Sequence, residues 1–94
     1  MKVHHIPEEK RFGLLDSTGT AWGELDYTIR GTVLSITHTG VSNEKRGLGL
    51  GDLLMEDAIK FAQEKNYKIN PICPFAARYF EKYPEHAHLV VQNG

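Results

Sequence analysis

The chain has 94 residues, 40% of them hydrophobic and 24% charged, which holds one small domain and leaves no room for a second, since a domain takes ~100–200 residues. Eleven basic against twelve acidic residues leave a net charge of −1, which argues against bulk electrostatic capture of nucleic acid or an anionic membrane, so any anionic ligand must be held locally. There is no apolar run of bilayer length, residues 1–9 carry no signal-peptide core, and the lone Cys73 forms no internal disulfide; a cytoplasmic protein is expected.

A short strand over residues 3–6 is expected to open the chain, stopped by Pro7, with His4 and His5 in a mobile terminus. Three strand-like runs follow, over residues 11–15, 21–29 and 32–39. In the second, Trp22, Glu24, Asp26 and Thr28 share one face while Leu25, Tyr27 and Ile29 share the other, the period-two pattern of a half-buried strand. Asp16-Ser17-Thr18-Gly19 and Arg30-Gly31 supply the residues that tight reversals need, so these runs read as an antiparallel meander.

From Gly47 the period becomes helical. Leu50, Leu53, Leu54, Ala58, Phe61 and Ala62 fall on one face, with Asp52, Glu56, Lys60 and Gln63 facing away. Acidic residues gather towards the start and lysines towards the end, in agreement with the helix dipole, and Asn66 suits a left-handed C-terminal cap. Residues 67–72 then read as a strand, residues 75–83 as a short helix begun by Pro74, and residues 89–91 as a last edge strand. The fold class is α+β: a mostly antiparallel twisted sheet, one long helix after a glycine loop and a short C-terminal helix.

The chemical signal is Arg46-Gly47-Leu48-Gly49-Leu50-Gly51, three alternating glycines opening the long helix behind the strand end at Val41. Free amides at a helix N-terminus, unobstructed by side chains and flanked by an arginine, form an anion site suited to a phosphate. The plainer alternative is a tight strand-to-helix turn. The run lacks the Gly-Lys-Ser/Thr ending of a P-loop, and the dinucleotide fingerprint would need glycine where Asp52 stands.

This run resembles the Arg/Gln-x-x-Gly-x-Gly/Ala acyl-coenzyme A loop of the GNAT superfamily of N-acetyltransferases. Together with Ile36-Thr37-His38-Thr39-Gly40-Val41 and Pro71-Ile72-Cys73-Pro74-Phe75, it resembles a subgroup of very small, truncated GNAT-like proteins, over residues 12–90 of a single domain. The resemblance implies that the amides of Arg46, Gly47, Leu48, Gly49, Leu50 and Gly51 bind the coenzyme A pyrophosphate. It also implies that the backbone of Thr39 and Val41 binds the pantetheine arm. The family's following segment, Asn-x-x-Ala-x-x-Leu-Tyr-Glu-Lys, is matched by Cys73, Ala76, Tyr79, Phe80, Glu81 and Lys82. Cys73 replaces the asparagine, and Phe80 replaces the tyrosine that often protonates the departing thiolate. The pair of helices that the family places between its first two strands is absent. An open sheet face is therefore expected, facing a large acceptor such as a protein amine or a second copy of the chain.

Acetyl transfer to an amine needs a neutral amine and a polarised thioester carbonyl. Cys73, expected near the start of the short helix, reads as a nucleophile, as a neighbour of the pantetheine or as an apolar filler. His38, placed by alternation on the buried face with Leu34 and Ile36, reads as a general base or as a core histidine. Glu24 is a second base candidate or part of an exposed face, and Tyr79 a substitute proton donor or a packing residue. Arg78 and Lys82 could reach the nucleotide end of the cofactor or be solvated charge. His86 and His88 with Cys73 offer metal-ligand chemistry without a recognisable fourth ligand, so no metal is expected. Three functions follow: an acetyl-coenzyme A-dependent N-acetyltransferase, a non-catalytic acyl-coenzyme A-binding or sensing module, and an interaction domain using the open sheet.

Overall fold

The computed structural model describes residues 1–91. Among them, strands β1 (Lys2–Ile6), β2 (Arg11–Leu15), β3 (Ala21–Arg30), β4 (Val33–Val41) and β5 (Lys68–Pro71) form one sheet in sequence order. Helix α1 (Leu50–Glu64) crosses from β4 to β5, whose pairing is parallel, while the other pairs are antiparallel. Helix α2 (Pro74–Lys82) follows β5.

Local chemistry explains the connections. The Asp16 carboxylate accepts the amides of Thr18 and Thr20 at 2.8 and 3.0 Å, folding the β2–β3 turn around Gly19 at φ +85°. Gly31 at φ +62° closes the β3–β4 hairpin. Asn66 takes the expected left-handed conformation at φ +60°. Its N–H donates to the Gln63 carbonyl and that of Tyr67 to the Ala62 carbonyl, a Schellman ending for α1.

The core lies on one face of the sheet. Phe12, Leu14, Leu25, Tyr27, Leu34 and Ile36 point into it, covered by Leu54, Met55, Ala58, Ile59 and Ala62 of α1 and by Ala76, Tyr79 and Phe80 of α2. The helix face is rotated from its expected position. Met55 and Ile59 are buried, whereas Leu53 is 39% exposed, because Gly51, not Leu50, faces inward in the first turn and sets the stripe 51, 54, 55, 58, 59 and 62. The edge strand expected over residues 89–91 is reduced to one parallel bridge between Val90 and Ile69, since Pro84–Leu89 forms a 3-10 turn first. The opposite sheet face is uncovered and polar, with Arg11 paired to Asp26 at 2.6 Å and His38 to Glu24 at 3.2 Å.

Neither His4 nor His5 is in a mobile terminus, since both are paired with β2, His4 opposite Gly13 and His5 opposite Phe12; the surroundings of His5 are the more specific. His5 lies in β1, stacks on Phe12 with ring centroids 4.1 Å apart, meets the edge of Phe61 and hydrogen-bonds the Tyr27 hydroxyl. Burial lowers its pKa from the ordinary 6.5, against weaker upward pulls from Glu8 and Asp57. Below pH 6.5 the unfolded chain therefore takes up a proton that the folded chain resists, so stability falls with pH until folded His5 itself protonates. The melting temperature is expected to drop as pH is lowered from 6.5, and His5→Phe to flatten that slope; an unchanged slope would remove His5 as its source.

Candidate functional site

The site is built where β4 and β5 part. Their pairing ends at Ile36 and Pro71, where the Ile36 carbonyl accepts both the Ile72 and Cys73 amides at 3.1 and 3.0 Å. Beside that point β4 carries a bulge. Ile36 lies opposite Tyr27 and His38 opposite Asp26, so Thr37 is an extra residue outside the register with β3, its hydroxyl donating to the Asp26 carbonyl at 3.2 Å. Leu34 and Ile36 face the core before the bulge, and Thr39 turns inward after it. His38 is therefore not on the buried face: strict alternation fails at Thr37, and the imidazole is 56% exposed on the open face.

The bulge also sets the backbone. The Ser42 amide donates to the Trp22 carbonyl at 2.8 Å. The alternation of an antiparallel ladder then turns Gly40 and His38 towards β3 and aims the backbone groups of Thr39 and Val41 into the gap that β5 has vacated. The Arg46 Nε–H donates to the Val41 carbonyl at 3.4 Å and so folds the loop back over the strand end.

Beyond β4, a 3-10 turn at Asn43–Lys45 leads into the glycines. Gly47 and Gly49 have φ of +83° and +73°, and a Cβ on either would meet nothing within 4 Å. They are glycine for the left-handed backbone, and that backbone lies open to a ligand. Gly49 caps α1 with no side-chain hydrogen bond, so the first helical amides are free. Gly51 has a different job, since a Cβ there would fall 2.5 Å from the Phe75 ring.

These elements enclose a cleft of about 440 Å³ lined by Thr39, Gly40, Val41, Lys45, Arg46, Gly47, Gly49, Leu50, Gly51, Asp52, Phe75 and Arg78. Three cations face it with one carboxylate, Asp52, which is engaged by the Tyr83 hydroxyl at 3.1 Å and lies 3.8 Å from the Lys82 Nζ. A free-amide cradle with cationic flanks fits a pyrophosphate. Of the residues expected in the loop, Leu48 points away and is 66% exposed. Sequence reasoning missed Phe75 and Lys45; the one available signal was Gly51, which had to be small for some reason.

Cys73 is the N-cap of α2 and is buried. Its Sγ accepts the Ala76 amide at 3.4 Å and lies 3.5 Å from the Thr39 hydroxyl, which places it beside the inner end of the open strand. His38 is on the other sheet face, so the two candidate catalytic residues do not form a pair. Tyr79 packs against Phe80, Tyr83 and His86. Burial, followed by Glu56 and Asp52, pushes its pKa up to about 12, which describes a packing residue that holds its proton. Phe80 is in the core. Among the described residues no group of three His, Cys, Asp or Glu side chains gathers to hold a metal, and no helix is long and apolar enough to cross a membrane.

A sheet split beside a bulged strand, with a glycine loop delivering a helix N-terminus to the split, defines the GNAT class of fold. The model of the family GCN5-related N-acetyl-transferase matches residues 11–89, and the chain belongs to that family, which uses acetyl-coenzyme A. The solution structure of a GCN5-like candidate N-acetyltransferase from Staphylococcus aureus is 29% identical, with a TM-score of 0.78 over 99% of this chain and 90% of that one. Ard1 from Thermoplasma volcanium shares the fold at 21% identity, TM-score 0.65, over 84% of this chain and 56% of that one. Tetrahymena GCN5 does so at 18% identity, TM-score 0.63, over 77% of this chain and 48% of that one. The chain thus spans about half the length of these two larger structures. Among curated proteins, no sequence matches this chain.

Proposed function

We propose that the protein is an acetyl-coenzyme A-dependent N-acetyltransferase acting on an amine acceptor. The observation that carries this is the convergence of the backbone of Thr39 and Val41 with the open glycine loop on one cationic cleft. The amides from Gly47 to Gly51, with Arg46, hold the pyrophosphate. Thr39 and Val41 pair with the pantetheine as a missing strand would, and free strand amides polarise the thioester carbonyl. The bound cofactor supplies the thioester and its thiol leaving group. His38, on the open face one residue before Thr39, takes the proton of the incoming amine.

Cys73 lines the acyl end, and two roles are open to it. As a wall it fills space beside Thr39. As a nucleophile it would take the acetyl group on sulfur and pass it to the amine, a role favoured by the Ala76 amide and the α2 N-terminus, which stabilise negative charge there. The exposure of His38 on the other face favours direct transfer and the wall. Cys73→Ala is accordingly expected to keep turnover within about threefold, whereas a covalent relay would cost it ~10² or more; mass spectrometry of the protein mixed with acetyl-coenzyme A would reveal an acetyl-cysteine in the second case.

A non-catalytic acyl-coenzyme A-binding module is the second reading, supported by Phe80 lying in the core where the resemblance leads one to expect a reactive tyrosine. Calorimetry with acetyl-coenzyme A, followed by an assay for free thiol on addition of amines, separates the two. Binding without amine-dependent thiol release supports the module; absence of binding removes both.

A further inference from the structure

We infer that the open sheet face carries a seat for a primary alkylammonium, formed by Glu24, His38 and Trp22 beside the bare backbone of Gly40. It deepens the acetyl-transfer reading and rests on it. The bulge at Thr37 brings His38 and Gly40 onto the face that already holds Trp22 and Glu24. A Cβ on Gly40 would lie 3.1 Å from His38 Nε2 and 3.5 Å from Glu24 Oε1, so a glycine there lets the His38–Glu24 pair settle onto the strand. Beside that pair lies a shallow hollow of about 340 Å³ whose lining includes Trp22, Glu24 and His38. Gly40 and Val41 line both this hollow and the glycine-loop cleft, so the two sites meet across the width of β4.

The lining matches an alkylammonium. Glu24, 39% exposed, offers a reachable carboxylate, and Trp22 an aromatic wall for the methylenes. The indole is held in place, its N–H donating to Asp16 at 2.7 Å, and Lys45 already sets an ammonium 4.8 Å from its ring centroid. With His38 Nε2–H donating to Glu24, Nδ1 carries the free lone pair and has no partner among the described residues. The ammonium gives one proton to Nδ1, and Glu24 steadies the imidazolium. The neutral nitrogen then bonds to the acetyl carbon as the carbon–sulfur bond breaks, and the second nitrogen proton goes to the departing thiolate. His38 returns its proton to solvent. The hollow opens onto a wide polar face, so the ammonium can belong to a lysine of a polypeptide or to a free diamine.

Trp22 is the sole tryptophan, so its fluorescence reports the seat directly, without turnover. Titration with cadaverine and with a blocked tripeptide centred on lysine, each with and without coenzyme A, is expected to give a saturable change for at least one amine. Glu24→Gln is expected to weaken that binding by about tenfold or more and to raise KM more than it lowers kcat, while acetyl-coenzyme A affinity stays within about twofold. Tighter binding of the tripeptide identifies a polypeptide lysine, and tighter binding of cadaverine a free polyamine. No saturable change with either amine, or equal binding by Glu24→Gln, overturns the seat. Amine binding in a protein that does not bind acetyl-coenzyme A would instead overturn the acetyl-transfer reading and leave the seat standing.

Discussion

Gly49→Val is expected to weaken acetyl-coenzyme A binding by about thirtyfold or more, corresponding to ~2 kcal/mol. Gly49 caps α1 at φ +73°, a conformation that costs a residue with a Cβ ~1–2 kcal/mol and a β-branched one more. The loop relieves that strain by refolding, which displaces the amides that hold the pyrophosphate. Gly19→Val is the control, since Gly19 has φ +85° in the β2–β3 turn, also with open space around it. It carries a similar backbone cost and should lower the melting temperature comparably while leaving binding unchanged. Calorimetry on the two variants separates loss of the cradle from loss of stability.

Leu54→Ala is expected to destabilise the domain by ~2–5 kcal/mol. Leu54 is fully buried in the stripe by which α1 covers the sheet. A chain of this size is held by ~5–14 kcal/mol in all, so the substitution removes a large share of its stability. The melting temperature should fall by roughly 10 °C or more. Leu53→Ala, one position away and 39% exposed, should cost under about 1 kcal/mol. Similar losses at the two positions in urea denaturation would contradict the observed rotation of α1.

The helix rotation shows where sequence reasoning reaches and where it stops. That residues 50–64 form an amphipathic helix follows from its period. Which of Leu53, Met55 and Ile59 it buries depends on the seat that Gly51 gives to Phe75, a contact between residues far apart in the chain. The meander was legible because its turns carry Asp, Gly and period-two alternation. The Thr37 bulge was not, since nothing in Ile36-Thr37-His38-Thr39 marks an extra residue, and that one residue moves His38 from the core to the open face. The glycine loop stood out because Gly47 and Gly49 meet a backbone need that other residues satisfy poorly. The pairing of His38 with Glu24 could not be read without the register of β3 and β4. His5 was placed wrongly because its position near the chain end conceals the aromatic cluster it completes.

An amide-resolved NMR titration of the intact protein with acetyl-coenzyme A tests the central claim most directly. Saturable shifts concentrated at Thr39, Val41 and the amides from Gly47 to Gly51 are the expected result. No saturable shift, or shifts confined to β1 and β2, would contradict it.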